Sequence, residues 1–142
     1  MSQVDVKDLK KALVAAGLEV FRTRGDEVHL AERQNVSLME AGVRVRGGAS
    51  PAVFVVARAQ RSDATGAQGE TLLDLVRARS RGLCDAGFRE VDAAVRDIRS
   101  VSDASHVVDT WFEVTFARDA SDLDELVREA KRAIAAERYV VP

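Results

Sequence analysis

Cysteine is nearly missing from this chain: Cys84 is the only one in 142 residues. A lone cysteine excludes an internal disulfide and fits a reducing compartment. Histidine is almost as scarce, with only His29 and His106. A zinc site takes about four nitrogen or sulfur ligands, and these three residues do not supply them, so no metal is expected. A surplus of one charge is also lacking. The 21 basic and 23 acidic residues leave a formal net charge of -2, which gives no bulk attraction to nucleic acid or to an anionic membrane. No apolar run approaches the roughly 20 residues that span a bilayer; near the N-terminus the longest is Ala12 to Ala16. Asp5 and Asp8 stand where a signal peptide would carry its basic and then its apolar region. The expected location is therefore the cytoplasm. Gly42, Gly47 and Gly48 have neither the spacing of a phosphate cradle nor the Lys-Ser/Thr that follows one. No cofactor is expected.

What remains is the composition of an ordinary folded domain, with 46% hydrophobic and 31% charged residues. A chain of this length buries about 68–70% of its unfolded surface, so it folds without a staple, and residues 1–142 are expected to form a single α+β domain. Only Lys7, Lys10, Lys11 and Lys131 are lysine among the basic residues. That bias, with abundant Ala and Val, points to a GC-rich bacterial genome.

The periodicities give an order of elements. Ser2 with Asp5 reads as a capping box, and Val6, Leu9, Leu13 and Ala16 recur at helical spacing, so a helix is expected over Asp5–Ala16 with Gly17 ending it. Leu18–Arg24 and Glu27–Glu32 read as strands around a Gly25-Asp26 turn, with Val28 and Leu30 on a buried face and His29 and Ala31 on a wet one. Val36–Glu40 is open between strand and helical turn, whereas Gly42–Arg46 alternates as a strand. Ala52–Gln60, with four consecutive apolar residues from Val53, reads as a central strand. Arg61–Gly69 is a polar loop, and Glu70–Ala86 a second helix that Gly87 stops. Phe88–Val101 fits either period and is read as a strand. Over Val107–Phe116 a period of two is sustained, with Val108, Thr110, Phe112, Val114 and Phe116 on one face. Ser121 and Asp124 then open a last helix, Ser121–Ala136, which buries Leu123, Leu126, Val127, Ala130 and Ile134. The fold expected is α+β, a mainly antiparallel sheet of five or six strands with three helices, in the order α-β-β-β-β-α-(β)-β-α.

That order, with the size and mild acidity, resembles the type III secretion chaperone-like superfamily. The resemblance covers most of the chain as topology and carries no residue motif. It implies a small dimeric protein that holds an extended segment of a client without ATP, and it assigns no functional residue.

Candidate chemistry is sparse. His29 and His106 lie on separate strands without a second ligand, and a solvated strand histidine explains each. Cys84 stands beside Asp85, whose carboxylate would raise rather than lower a thiol pKa. The acidic run Asp119, Asp122, Asp124 and Glu125 lies at a helix start, where the dipole favours negative charge. No catalytic residue is assigned. Trp111 is the strongest site candidate, because it points away from the Phe112 row together with Val107 and Glu113. That face is covered within the monomer or meets a partner, since Trp is enriched in interface hot spots. Arg77, Arg81, Arg58 and Arg61 form a second candidate, a patch for an anionic ligand or nucleic acid. Arg79 stands two residues from each of Arg77 and Arg81, and residues two apart on a helix diverge in direction; few aromatics are interleaved. The leading expectation is thus a non-enzymatic protein-binding module, a homodimer that associates through the sheet face or edge around Trp111, with a regulator acting through the arginines as the alternative.

Overall fold

A computed structural model describes residues 3–34, 37–61 and 69–136. The chain is α+β, with a six-stranded antiparallel sheet and four helices among the described residues. In chain order these are α1 (Val6–Ala15), β1 (Glu19–Arg24), β2 (Glu27–Gln34), β3 (Ser37–Arg46), β4 (Ala52–Gln60), α2 (Gly69–Arg79), α3 (Arg81–Asp85), β5 (Arg89–Arg99), β6 (Val107–Asp119) and α4 (Leu123–Ala135). The strands lie in the order β1-β2-β3-β4-β6-β5, so β1 and β5 are the two edges.

Two compact units divide the chain. The first runs up to Val55 and includes Ala117–Ala136; the second is Val56–Phe116. In the first unit α1 packs on α4, β1 and β2, and α4 also packs on β3. Leu9 and Leu13 of α1 and Leu126, Ala130 and Ala133 of α4 are buried, as are Val28, Leu30, Val43, Val45, Val53 and Val55 of the strands. In the second unit Leu72 and Val76 of α2, Leu83 of α3, Phe88, and Thr110, Phe112, Val114 and Phe116 of β6 are buried.

Several local expectations are corrected. Asp5 is itself the cap of α1, its carboxylate accepting from the Lys7 and Asp8 N–H groups at 2.8 and 3.2 Å; Ser2 lies outside the described residues, as do most of the Arg61–Gly69 loop and the 139–142 tail. At α4 the box is displaced by one residue. Asp122 caps the Glu125 N–H at 2.9 Å, and Glu125 reaches back to the Ser121 N–H at 3.0 Å. α4 buries Leu126 and Ala130 as expected, together with Glu129 and Ala133, whereas Leu123, Val127 and Ile134 are half-buried. The single second helix becomes α2 and α3, parted at Ser80, where Ser and Gly82 are weaker helix formers than the flanking residues. β3 is continuous from Ser37 because a bulge, seen as a register shift in its pairing with β2, carries the strand through Gly42.

The strand reading of Phe88–Val101 is borne out by β5, which forms a hairpin with β6, closed by the Ser100 N–H donating to the His106 carbonyl. α1 and α3 end alike. Gly17 and Gly87 take positive φ, and the N–H groups of Leu18 and Phe88 reach back to the carbonyls of Leu13 and Leu83. Each is a Schellman closure that turns a helix directly into a strand.

Candidate functional site

The alternation of β6 decides where its side chains go. Phe112, Val114 and Phe116 are buried, whereas Trp111, Glu113 and Thr115 between them are only half-buried. The open face of this second unit is completed from β4, where Val56, Arg58 and Gln60 are half-buried and alternate with buried Ala57 and Ala59. The guanidinium carbon of Arg58 lies 3.9 Å from the centroid of the Trp111 ring, a close cation–π contact. Glu113 accepts a hydrogen bond from Arg96 Nε of β5 at 3.0 Å. Val107, at the start of β6, is 40% exposed. Trp111 and Glu113 thus share one surface, an aromatic with a cation on it and an ion pair beside it, and Val107 lies on the same alternation.

The four arginines do not assemble in the same way. Arg58 lies over Trp111, and Arg61 lies over Phe112, 6.0 Å from its ring centroid. Since those two aromatics point to opposite faces of β6, the two arginines are on opposite sides of the sheet. Arg77 is held in a fork: Nε donates to Glu90 Oε1 at 2.9 Å and Nη2 to Oε2 at 3.1 Å, with Asp74 3.4 Å away. The hydrogen-bonded Glu90 carboxylate, helped by Asp74 and opposed by a little burial, raises the Arg77 pKa above its ordinary value. Arg81 is exposed on α3.

The first unit contains two charged clusters that periodicity does not reveal. His29 is 5% exposed rather than solvated. Glu40 Oε1 lies 3.1 Å from its Nδ1 and Glu27 Oε1 3.3 Å from its Nε2, while Arg22 Nε is 3.4 Å from Nδ1. β2 runs between β1 and β3, and their long charged side chains cover the imidazole, which is why the expected wet face is closed there. Glu129 of α4 is buried with Arg118 Nη1 at 3.0 Å, Arg132 Nη1 at 3.5 Å and Arg128 Nε at 3.7 Å. No group of three or more His, Cys, Asp or Glu among the described residues is placed to hold a metal ion.

A cleft of about 920 Å³ in the same unit is lined by Arg46, Ser50, Pro51, Asp119, Ser121 and Glu125. Its polar groups are engaged in local structure: Arg46 Nε donates to the Ser50 carbonyl at 2.8 Å, and Glu125 serves the α4 cap. His106 and Cys84 are both exposed. No described helix is long and apolar enough to cross a membrane. No family model matches the chain, and no curated protein or solved structure matches it.

Proposed function

We propose that this is a non-enzymatic protein-binding module, of the adaptor or secretion-chaperone kind, that works in the cytoplasm as a homodimer and docks a protein partner on the Trp111 face. The observation that carries this reading is the half-exposed Trp111 ring beneath Arg58. An aromatic anchor with an arginine on it and a charged rim is the composition of an interface hot spot. Val107 extends the apolar part, and the Glu113–Arg96 pair supplies the rim.

The test is affinity capture from the native host with tagged chain, comparing the wild type with Trp111→Glu at several salt concentrations. A protein recovered by the wild type, lost with the variant and retained at high salt supports the reading, provided the variant melts as the wild type does. Capture of nucleic acid that falls steeply with salt would instead favour the arginine alternative, because counterion release governs such binding.

A further inference from the structure

The two edges of the sheet are not alike. β1 is six residues long, and its ladder with β2 is interrupted by a bulge between Val20 and Arg22. Short length, a bulge and like charges (Arg22 and Arg24) are the usual ways of blunting an edge against further pairing. β5 is nearly twice as long, and its charges are of both signs, Arg89, Arg96 and Arg99 against Glu90, Asp92 and Asp97. It runs for 11 residues without Gly or Pro, and all are exposed except Ala94 and Ile98, which are half-buried. Val91 and Val95 are 47% and 55% exposed. Among the described residues no strand pairs with its outer side, and an edge of this length offers a row of backbone donors and acceptors to another strand.

The sequence of β5, Arg-Glu-Val-Asp-Ala-Ala-Val-Arg-Asp-Ile-Arg, is complementary to itself when reversed about Ala93. Two copies laid antiparallel with Ala93 on the two-fold axis set Arg89 opposite Asp97, Glu90 opposite Arg96 and Val91 opposite Val95. By symmetry each pairing occurs twice, giving four opposite-charge pairs around a strip of four valines. Neighbouring registers lose this. Centring on Asp92 sets that carboxylate against its own copy, and centring on Ala94 sets Arg89 against Arg99. Opposite charges and apolar pairs directly across an antiparallel ladder stabilise it, and like charges destabilise it. Glu90 and Arg96 also bind Arg77 and Glu113 within the chain. A carboxylate has about four acceptor sites and a guanidinium five donors, so a second partner is accommodated.

The geometry points to β5 as the docking strand for a second copy of this chain, paired antiparallel about Ala93. This rests on the homodimer in the reading above but not on Trp111, and it leaves the Trp111 face to the partner protein.

The experiment is light scattering and sedimentation over a concentration series for the full chain, Arg89→Asp, the double variant Arg89→Asp/Asp97→Arg, Ala93→Lys and Trp111→Glu, with a thermal melt of each. The wild type is expected at twice 15.4 kDa. Arg89→Asp places like charges opposite each other twice and should weaken the dimer by about tenfold or more, and the double variant should restore it. Ala93→Lys sets two ammonium groups on the axis and should also give monomers, which keeps the test intact if Arg89→Asp fails to fold. A wild type monomeric at high micromolar concentration overturns the proposal, as does a dimer indifferent to both Arg89→Asp and Ala93→Lys. Loss without rescue in the double variant overturns the register. A dimer broken by Trp111→Glu alone would place self-association on the Trp111 face, whereas partner capture lost without any change in mass would leave the β5 pairing standing.

Discussion

Arg58 sits on Trp111 at 3.9 Å, so the residue that makes the open face of β6 apolar is also capped by a cation. Trp111 is the chain's single tryptophan, which makes its emission a direct report of this contact. Arg58→Ala is expected to uncover the ring, shift its fluorescence to the red and raise acrylamide quenching. A cation–π contact at a half-exposed site contributes about 0.5–1 kcal/mol, so the melting temperature should fall only slightly. Unchanged emission would mean that the two side chains are not in contact in solution.

Glu129 is the most deeply buried charged side chain among the described residues, at 2% exposure, and Arg118 is its nearest cation at 3.0 Å. Breaking a fully buried pair costs about 3–5 kcal/mol. Arg118 still reaches solvent and two other arginines lie near, so Arg118→Ala is expected to cost about 2 kcal/mol. Arg128→Ala, at 3.7 Å from an exposed position, should cost less than half of that. Denaturant unfolding of the two variants gives the order directly, and equal losses would show that Arg118 holds no special place.

The fold was legible where one period ran unbroken. β6 alternates without interruption, and the α1 and α4 stripes repeat at helical spacing, so these elements were expected close to where they lie. β3 was not, because Gly42 divides its apolar alternation and only the pairing with β2 carries the strand through. The Ser80 break in α2–α3 is a matter of a few weak helix formers, too small to read from spacing. The candidate site was legible by half. Alternation alone turned Trp111 away from the Phe112 row, but Arg58 reaches it only because β6 takes its place beside β4. That adjacency joins residues about 50 apart in sequence and has no local signal. His29 was misread for the same reason, since its cover comes from Glu40 on another strand.

Gly48 and Gly82 should respond oppositely to the same substitution. Gly48 has φ +75°, bridges Val4 through two backbone hydrogen bonds, and would place a Cβ 3.2 Å from Asp26 Oδ2. Gly48→Ala is expected to destabilise by about 1–2 kcal/mol, from the left-handed backbone alone. Gly82 lies in α3 with nothing within 4 Å of a Cβ. Gly82→Ala should therefore stabilise by about 0.5–1 kcal/mol, since alanine loses less backbone entropy in a helix. Thermal melts that moved in the same direction would contradict one of these two backbone assignments.

The turn between β5 and β6 is held by Asp103, whose Oδ1 accepts from the Ser105 hydroxyl at 2.6 Å and from the Ser105 N–H at 3.0 Å. The hydroxyl foremost, and then the N–H, hold the Asp103 carboxyl below the usual aspartate range. A carboxylate depressed in the folded state supports the turn at pH values above its unfolded pKa. That support fades only as the pH falls through the lower, folded value. The turn should therefore keep its Ser105 amide shift throughout the neutral and mildly acidic range and lose it in strong acid. A carbon-detected titration of Asp103 alongside the Ser105 amide would follow both groups. Ser105→Ala removes the larger of the two causes and should bring the Asp103 midpoint back up towards the ordinary aspartate range, with the remaining N–H contact limiting the recovery. If the midpoint in Ser105→Ala does not rise, the hydroxyl is not what holds the proton off, and the turn owes its shape to the His106 N–H bond to the Asp103 carbonyl instead.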